Sequence, residues 1–264
     1  MIHNSLIRPR RRINFDNYDS IEVSISGPDA KKCKISSFAE AGLYDQTREA
    51  LKLAGYIKPT PIQRYAIPLI NEGRDIMGCA QSGSGKTAAY LLPIITGILK
   101  DNLMSPTYEP AAVILVPTLE IATEIYNEAK ILITGTIIRA AVCKKKEIDR
   151  GQPKGGADII VASPDCLIKF VERKKVGLRK LKYLVLDEPM RMICHGLKKS
   201  IDRLVRTMGM TSRDERQTMM FSDEFPDYFQ RYAIEYLKLY LFVNVSCVSV
   251  EENGVISPGH WAAQ

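Results

Sequence analysis

Residues Ala80–Thr87 read AQSGSGKT, with the apolar run DIMGCA (Asp75–Ala80) leading in and AAYLLPIITGIL leading out. An apolar strand, a loop of small residues and a helix in that order form the setting of a phosphate-binding loop. Ser82, Gly83, Ser84 and Gly85 are small enough for their backbone N–H groups to curl around phosphate oxygens, and the helix start adds a positive dipole end. Lys86 would neutralise the β- and γ-phosphates, and the Thr87 hydroxyl would sit on Mg²⁺. Ala80 stands where the strict pattern has its first glycine. The competing reading is a glycine-rich turn before a helix, and the flanking strand and helix weigh against it.

About a hundred residues downstream, LKYLVLDE (Leu181–Glu188) is an apolar run ending in two carboxylates. In a nucleotide site Asp187 would hold Mg²⁺ through water, and Glu188 would orient or deprotonate the attacking water. An acidic pair can also merely cap the next segment. The phosphate loop upstream favours the catalytic reading, with Lys86, Asp187 and Glu188 as the catalytic set and Thr87 and Asp187 on the metal.

The rest of the chain alternates apolar runs with amphipathic stretches, the rhythm of an α/β protein. Further strands are expected at Ala111–Pro117, Ile137–Val142, Asp158–Ser163, Gln217–Ser222 and Tyr240–Ser246. Several are apolar at consecutive positions, as parallel strands covered on both faces are. Helical stripes are expected at 120–133 (Ile121, Ile125, Ala129, Leu132) and 226–237 (Phe229, Ala233, Tyr236, Leu237). Residues 1–30 read as a basic, loosely ordered segment, 31–250 as the folded domain and 251–264 as a short tail.

The chain has 264 residues, 45% of them hydrophobic, enough for a sizeable core, and a net charge of +7 that favours an anionic partner. Ala88–Leu99, the best apolar stretch, is interrupted by Pro93 and Gly97 and falls short of the roughly 18 residues of a membrane span. Six cysteines without a CxxC and only three histidines argue for reduced thiols and against a zinc site. No membrane partner is expected, and the compartment reads as cytoplasmic, with nuclear or RNA-granule residence left open.

Further motifs carry a resemblance. AGYIKPTPIQ (Ala54–Gln63), AQSGSGKT, PTLEIA (Pro117–Ala122), ASPD (Ala162–Asp165), LDEPMRM (Leu186–Met192) and MFSDEFP (Met220–Pro226) resemble, in order and spacing, the first RecA-like domain of DEAD-box RNA helicases, in particular the Vasa-like branch. The resemblance implies an α/β RecA-like P-loop fold, a mostly parallel sheet with helices on both faces, with ATP and Mg²⁺ as cofactors and RNA as partner. It implies that Gln63 hydrogen-bonds adenine, that Tyr56 stacks on it, and that Phe38 and Lys58 complete that motif. It assigns RNA contacts to Pro117, Thr118, Glu120, Ser163 and Pro164. Lys144 and Lys145 stand where the family's glycine pair approaches the RNA backbone, and there they would supply charge instead.

The departures are as specific. Leu119 replaces the arginine of PTRE, Asp165 and Cys166 replace the glycine and arginine ending the second RNA motif, and the DEAD tetrad reads Asp187-Glu188-Pro189-Met190. Met190 cannot accept the hydrogen bonds that the family's last aspartate takes from the serine–alanine–threonine motif, where Glu224 replaces the threonine. Pro189 is expected to push Glu188 to extended geometry and misaim it. After Ser246 too few residues follow for a second RecA-like domain. The expectation is therefore a helicase relative that binds ATP and binds RNA weakly and without sequence preference, with impaired coupling and no unwinding alone, unless a protein partner or a second RecA-like chain completes it. The alternative is an inactive pseudo-helicase acting as an RNA- or protein-binding adaptor.

Overall fold

The computed structural model describes residues 21–30, 33–104, 108–144 and 156–246. Its strands are β1 (Val23–Ser26), β2 (Ile76–Cys79), β3 (Ala112–Leu115), β4 (Ala140–Val142), β5 (Ile159–Ala162), β6 (Tyr183–Asp187), β7 (Gln217–Ser222) and β8 (Leu241–Val245). Its helices are α1 (Asp45–Leu53), α2 (Pro61–Asn71), α3 (Lys86–Lys100), α4 (Leu119–Leu132), α5 (Pro164–Glu172), α6 (Pro189–Cys194), α7 (Lys198–Thr207) and α8 (Asp227–Tyr236). The strands form one sheet in the order β1-β8-β2-β7-β6-β3-β5-β4, parallel throughout except for β1.

Strands β3, β5, β6 and β7 are buried at every position, which is why their sequences are apolar without alternation. One apolar layer packs α2, α3 and α4 on one face; the other gathers Leu167, Met192, Leu204 and Phe229 of α5 to α8 on the opposite face. The expected stripes hold. Ile125, Ala129 and Leu132 are buried in α4, where Ala122 takes the inward place next to a half-buried Ile121. Phe229, Ala233, Tyr236 and Leu237 are all buried.

One expectation about the fold needs correction. Residues 1–30 were to be loosely ordered, yet Val23–Ser26 pair antiparallel with Phe242–Val245 and Val23 enters the core. A four-residue V-S-I-S alternation is too short to stand out in sequence, so the folded unit starts before residue 31. The Pro93 and Gly97 that interrupt the apolar stretch Ala88–Leu99 both lie inside α3, which runs through them for fifteen residues. Burial on nearly every side offsets the N–H that Pro93 lacks. Gly97 is required because the Tyr183 hydroxyl occupies the place of a Cβ.

The register brings the carboxyl ends of β2, β7 and β6 side by side: Cys79 lies opposite Ser222, and Asp187 opposite Phe221. The phosphate loop and the acidic pair therefore leave the sheet at one edge.

Candidate functional site

Gly83 and Gly85 take the left-handed conformation, at φ +77° and +89°, which the sharp loop between β2 and α3 needs. Gly85 is the residue on which α3 starts, and a side chain there would strike the Gln63 amide. Lys86 is buried; its Nζ donates to Ala80 O at 2.8 Å and lies 2.9 Å from Glu188 Oε1. Ser84 Oγ is buried in the loop without a hydrogen-bond partner.

The acidic pair is held by two separate sets of contacts. Asp187 accepts a hydrogen bond from the Tyr90 hydroxyl at 2.8 Å. Burial pushes its carboxyl up to about 6, against the lowering effect of that bond. Glu188 sits at φ 56°, ψ 54°. That overturns the expectation of an extended, misaimed residue before Pro189. The left-handed backbone costs about 1–3 kcal/mol, and the anchors are visible. Glu188 N donates to Phe221 O at 2.7 Å, Met192 N donates to Glu188 O at 3.1 Å, and Ser222 Oγ donates to Glu188 Oε2 at 3.0 Å. Together with Lys86 they turn the carboxylate toward the phosphate loop. Met190 is buried in the apolar layer and Glu224 is exposed, so Ser222 of the Met220–Pro226 motif pairs with Glu188 rather than with residue 190.

Gln63 is buried and bonded at both ends of its amide. Oε1 accepts from Thr60 N at 3.0 Å, and Nε2 donates to Gly85 O at 2.9 Å, tying the start of α2 to the phosphate loop. Tyr56 is half-buried edge-to-face against Phe38, with ring centroids 6.1 Å apart, and its hydroxyl donates to Glu128 Oε1 at 2.6 Å. Lys58 is exposed. The structure thus brings Gln63 to the phosphate loop and pairs Tyr56 with Phe38. Sequence reading missed Tyr90, Glu128 and Ser222 as site residues. For Ser222 the signal was its place in MFSDEFP, which resembles the serine–alanine–threonine motif, and for Tyr90 a tyrosine inside the apolar run after Thr87.

The residues assigned to RNA line the other half of the same edge, where β3, β5 and β4 are neighbours. Pro117 and Thr118 lead from β3 into α4, Ser163 and Pro164 lead from β5 into α5, and the half-buried Lys144 follows β4. Lys145 lies outside the described residues. Thr118 Oγ1 accepts from Ile121 N at 3.4 Å. Glu120 is exposed, and hydrogen bonds from its own N–H and the Thr118 hydroxyl hold its carboxyl below the usual range. Leu119 is exposed, and Asp165 accepts from Ser200 Oγ at 2.5 Å.

A family model for DEAD/DEAH box helicases matches residues 60–226, well over half of the chain. The chain belongs to that family. The "Probable ATP-dependent RNA helicase DDX4" proteins of Sus scrofa and Homo sapiens are each 43% identical to it over 249 residues, 89% of this chain and 34% of theirs. The chain spans about a third of the length of these curated relatives. Among solved structures, the RNA helicase Prp28 from Chaetomium thermophilum bound to ADP matches with a TM-score of 0.73 at 31% identity, covering 87% of this chain and 55% of that one. A DEAD box protein from Methanococcus jannaschii matches with a TM-score of 0.69 at 27% identity, covering 79% and 56%. The RecA-like fold is shared with both.

DEAD-box helicases use ATP, typically with Mg²⁺, and the donor set of this DEAD/DEAH box chain fits those ligands. The loop holds a buried, unpartnered hydroxyl on Ser84 and a lysine beside it, which suits a phosphate. Among the described residues no group of three or more His, Cys, Asp and Glu side chains stands ready for a metal ion. A hard divalent ion at Thr87 and Asp187 would therefore complete its shell with phosphate oxygens and water. No described helix is long and apolar enough to cross a membrane.

Proposed function

We propose that this chain binds Mg·ATP with adenine preference, through Gln63, Tyr56 and the Ser82–Thr87 loop, and binds RNA weakly and without sequence preference. In this reading Lys86, Asp187 and Glu188 retain slow hydrolysis that RNA does not stimulate, and the chain alone does not unwind duplexes. The observation that carries the reading is the clamp on Glu188: Lys86 at 2.9 Å and Ser222 at 3.0 Å hold the general base against the phosphate loop. The same clamp supports impaired coupling. Ser222 is engaged by Glu188, and the buried Met190 offers the Met220–Pro226 motif no acceptor. Linkage between two ligands needs contacts that differ between states, and this contact is missing from residue 190. RNA phosphates would meet the amide ends of α4 and α5 and the Lys144 ammonium, which supports positioning without base readout.

The pseudo-helicase adaptor is the second reading, favoured by Leu119, Asp165 and Met190 in motif positions. A cytoplasmic site of action goes with either. Nucleotide titration followed by ATPase measurement, with and without single-stranded RNA and with Lys86→Ala as blank, separates the two. The first reading expects ATP-selective binding and turnover above the blank that RNA leaves unchanged. Turnover equal to the blank would establish the second reading, and several-fold stimulation by RNA would overturn the uncoupling.

A further inference from the structure

The turn of α3 after Thr87 is apolar except for one hydroxyl. Ala88, Ala89, Leu91, Leu92, Ile94 and Ile95 are fully buried, and Tyr90 is equally buried among them. Tyr90 lies three residues past Thr87, so the two side chains leave the same face of the helix. Its hydroxyl donates to Asp187 Oδ2 at 2.8 Å. The phenol is therefore bonded to one side chain assigned to Mg²⁺, Asp187, and shares a helix face with the other, Thr87. Its ring is held in turn: Phe221 packs on it with centroids 5.4 Å apart, and Phe221 occupies the space left by Gly78, where a Cβ would come within 2.5 Å of the ring.

We propose that Tyr90 is a positioning residue whose hydroxyl presets the Asp187 carboxylate for the divalent ion. This rests on the nucleotide-site reading given above. With Oδ2 engaged by the phenol, Asp187 offers Oδ1 to the ion or to a water on it. Groups that orient a metal's ligands in this manner typically contribute 10–100-fold in metal affinity. The contact has a further consequence in this chain. Residue 190 provides no carboxylate, and Glu188 is engaged by Lys86 and Ser222, so Tyr90 is the side chain that fixes Asp187 independently of them.

Tyr90→Phe keeps the ring and removes only the hydroxyl, and the test is fluorescent-ADP affinity in Mg²⁺ and in EDTA. The wild-type chain is expected to bind more tightly in Mg²⁺. In Tyr90→Phe that gain should fall about tenfold, while affinity in EDTA stays within about twofold. Asp187→Asn should lose the same gain, and the double variant should lose no more than Asp187→Asn alone. An unchanged gain in Tyr90→Phe, an equal weakening in both buffers, or a further loss in the double variant would each overturn the proposal. Wild-type binding with no Mg²⁺ gain would overturn Tyr90's role and leave the nucleotide reading standing. Wild-type binding no better than Lys86→Ala in either buffer would remove the nucleotide reading itself, and Tyr90's role with it.

Discussion

The ion pair between Lys86 and Glu188 is the contact whose removal should be felt most. Both side chains are about a tenth exposed or less, and the nitrogen–oxygen distance is 2.9 Å. Deleting one partner of such a pair leaves a buried charge without its counterion, a loss of about 3–5 kcal/mol. Each survivor keeps one anchor, Ala80 O for Lys86 and Ser222 Oγ for Glu188, so the lower figure applies. Glu188→Gln and Lys86→Met should each destabilise the ligand-free chain by about 3 kcal/mol, a fall in melting temperature of roughly 6–12 °C for a domain of this size. The double variant should lose about 2 kcal/mol or less instead of the roughly 6 that addition gives, because neither charge is then stranded. Urea unfolding of the four proteins measures this directly. Single losses below about 1 kcal/mol, or additivity within about 0.5 kcal/mol, would refute the pair as a structural unit. Repeating the cycle with Mg·ADP adds a functional arm, since phosphates should draw Lys86 away and shrink the Glu188→Gln penalty.

Gly78→Ala should destabilise the domain by about 1–3 kcal/mol through collision with the Phe221 ring, and an unchanged denaturation midpoint would show that the ring is free to move. Burial pushes the Asp202 carboxyl up, but hydrogen bonds from Lys198 and Tyr236 outweigh it and hold it below 3.8. Its contribution to stability is thus complete above that value and lost as the pH falls through the lowered one; Asp202→Asn should flatten this acid limb in pH-dependent melts. RNA affinity, measured by fluorescence anisotropy, should fall steeply with salt, and Lys144→Glu should lower both the affinity and the slope. An affinity indifferent to salt would remove the phosphate contacts proposed for that edge.

The α/β rhythm, seven of the eight strands and the phosphate loop were legible because they rest on unbroken local patterns: apolar runs for buried parallel strands, and small residues before Lys86. Strand β1 was not, since an edge strand of four residues carries one alternation and its partner lies more than 200 positions away. At the site, the identities of Lys86, Thr87, Asp187 and Glu188 could be read, but their connections could not. Pro189 suggests an extended Glu188 by local sterics, and only the long-range bonds to Phe221, Ser222 and Lys86 hold it in the left-handed region. Tyr90 was hidden for the same reason: a tyrosine in an apolar helix reads as core until β6 brings Asp187 to its hydroxyl.

Strand β2, which launches the phosphate loop, is flanked by β7 and β8, both made from the last quarter of the sequence. During synthesis at about 5–20 residues per second, β2 waits on the order of 10 s before β7 has even left the ribosome. The apolar residues of β2 lack both sheet neighbours in that interval, while α3 can already meet α2 and α4. A slow, late assembly of this kind leaves an aggregation-prone nascent chain in need of chaperone cover. It also means that nucleotide cannot act as a folding template for the first half of the domain. Ligand can stabilise the product only after the last strands have docked.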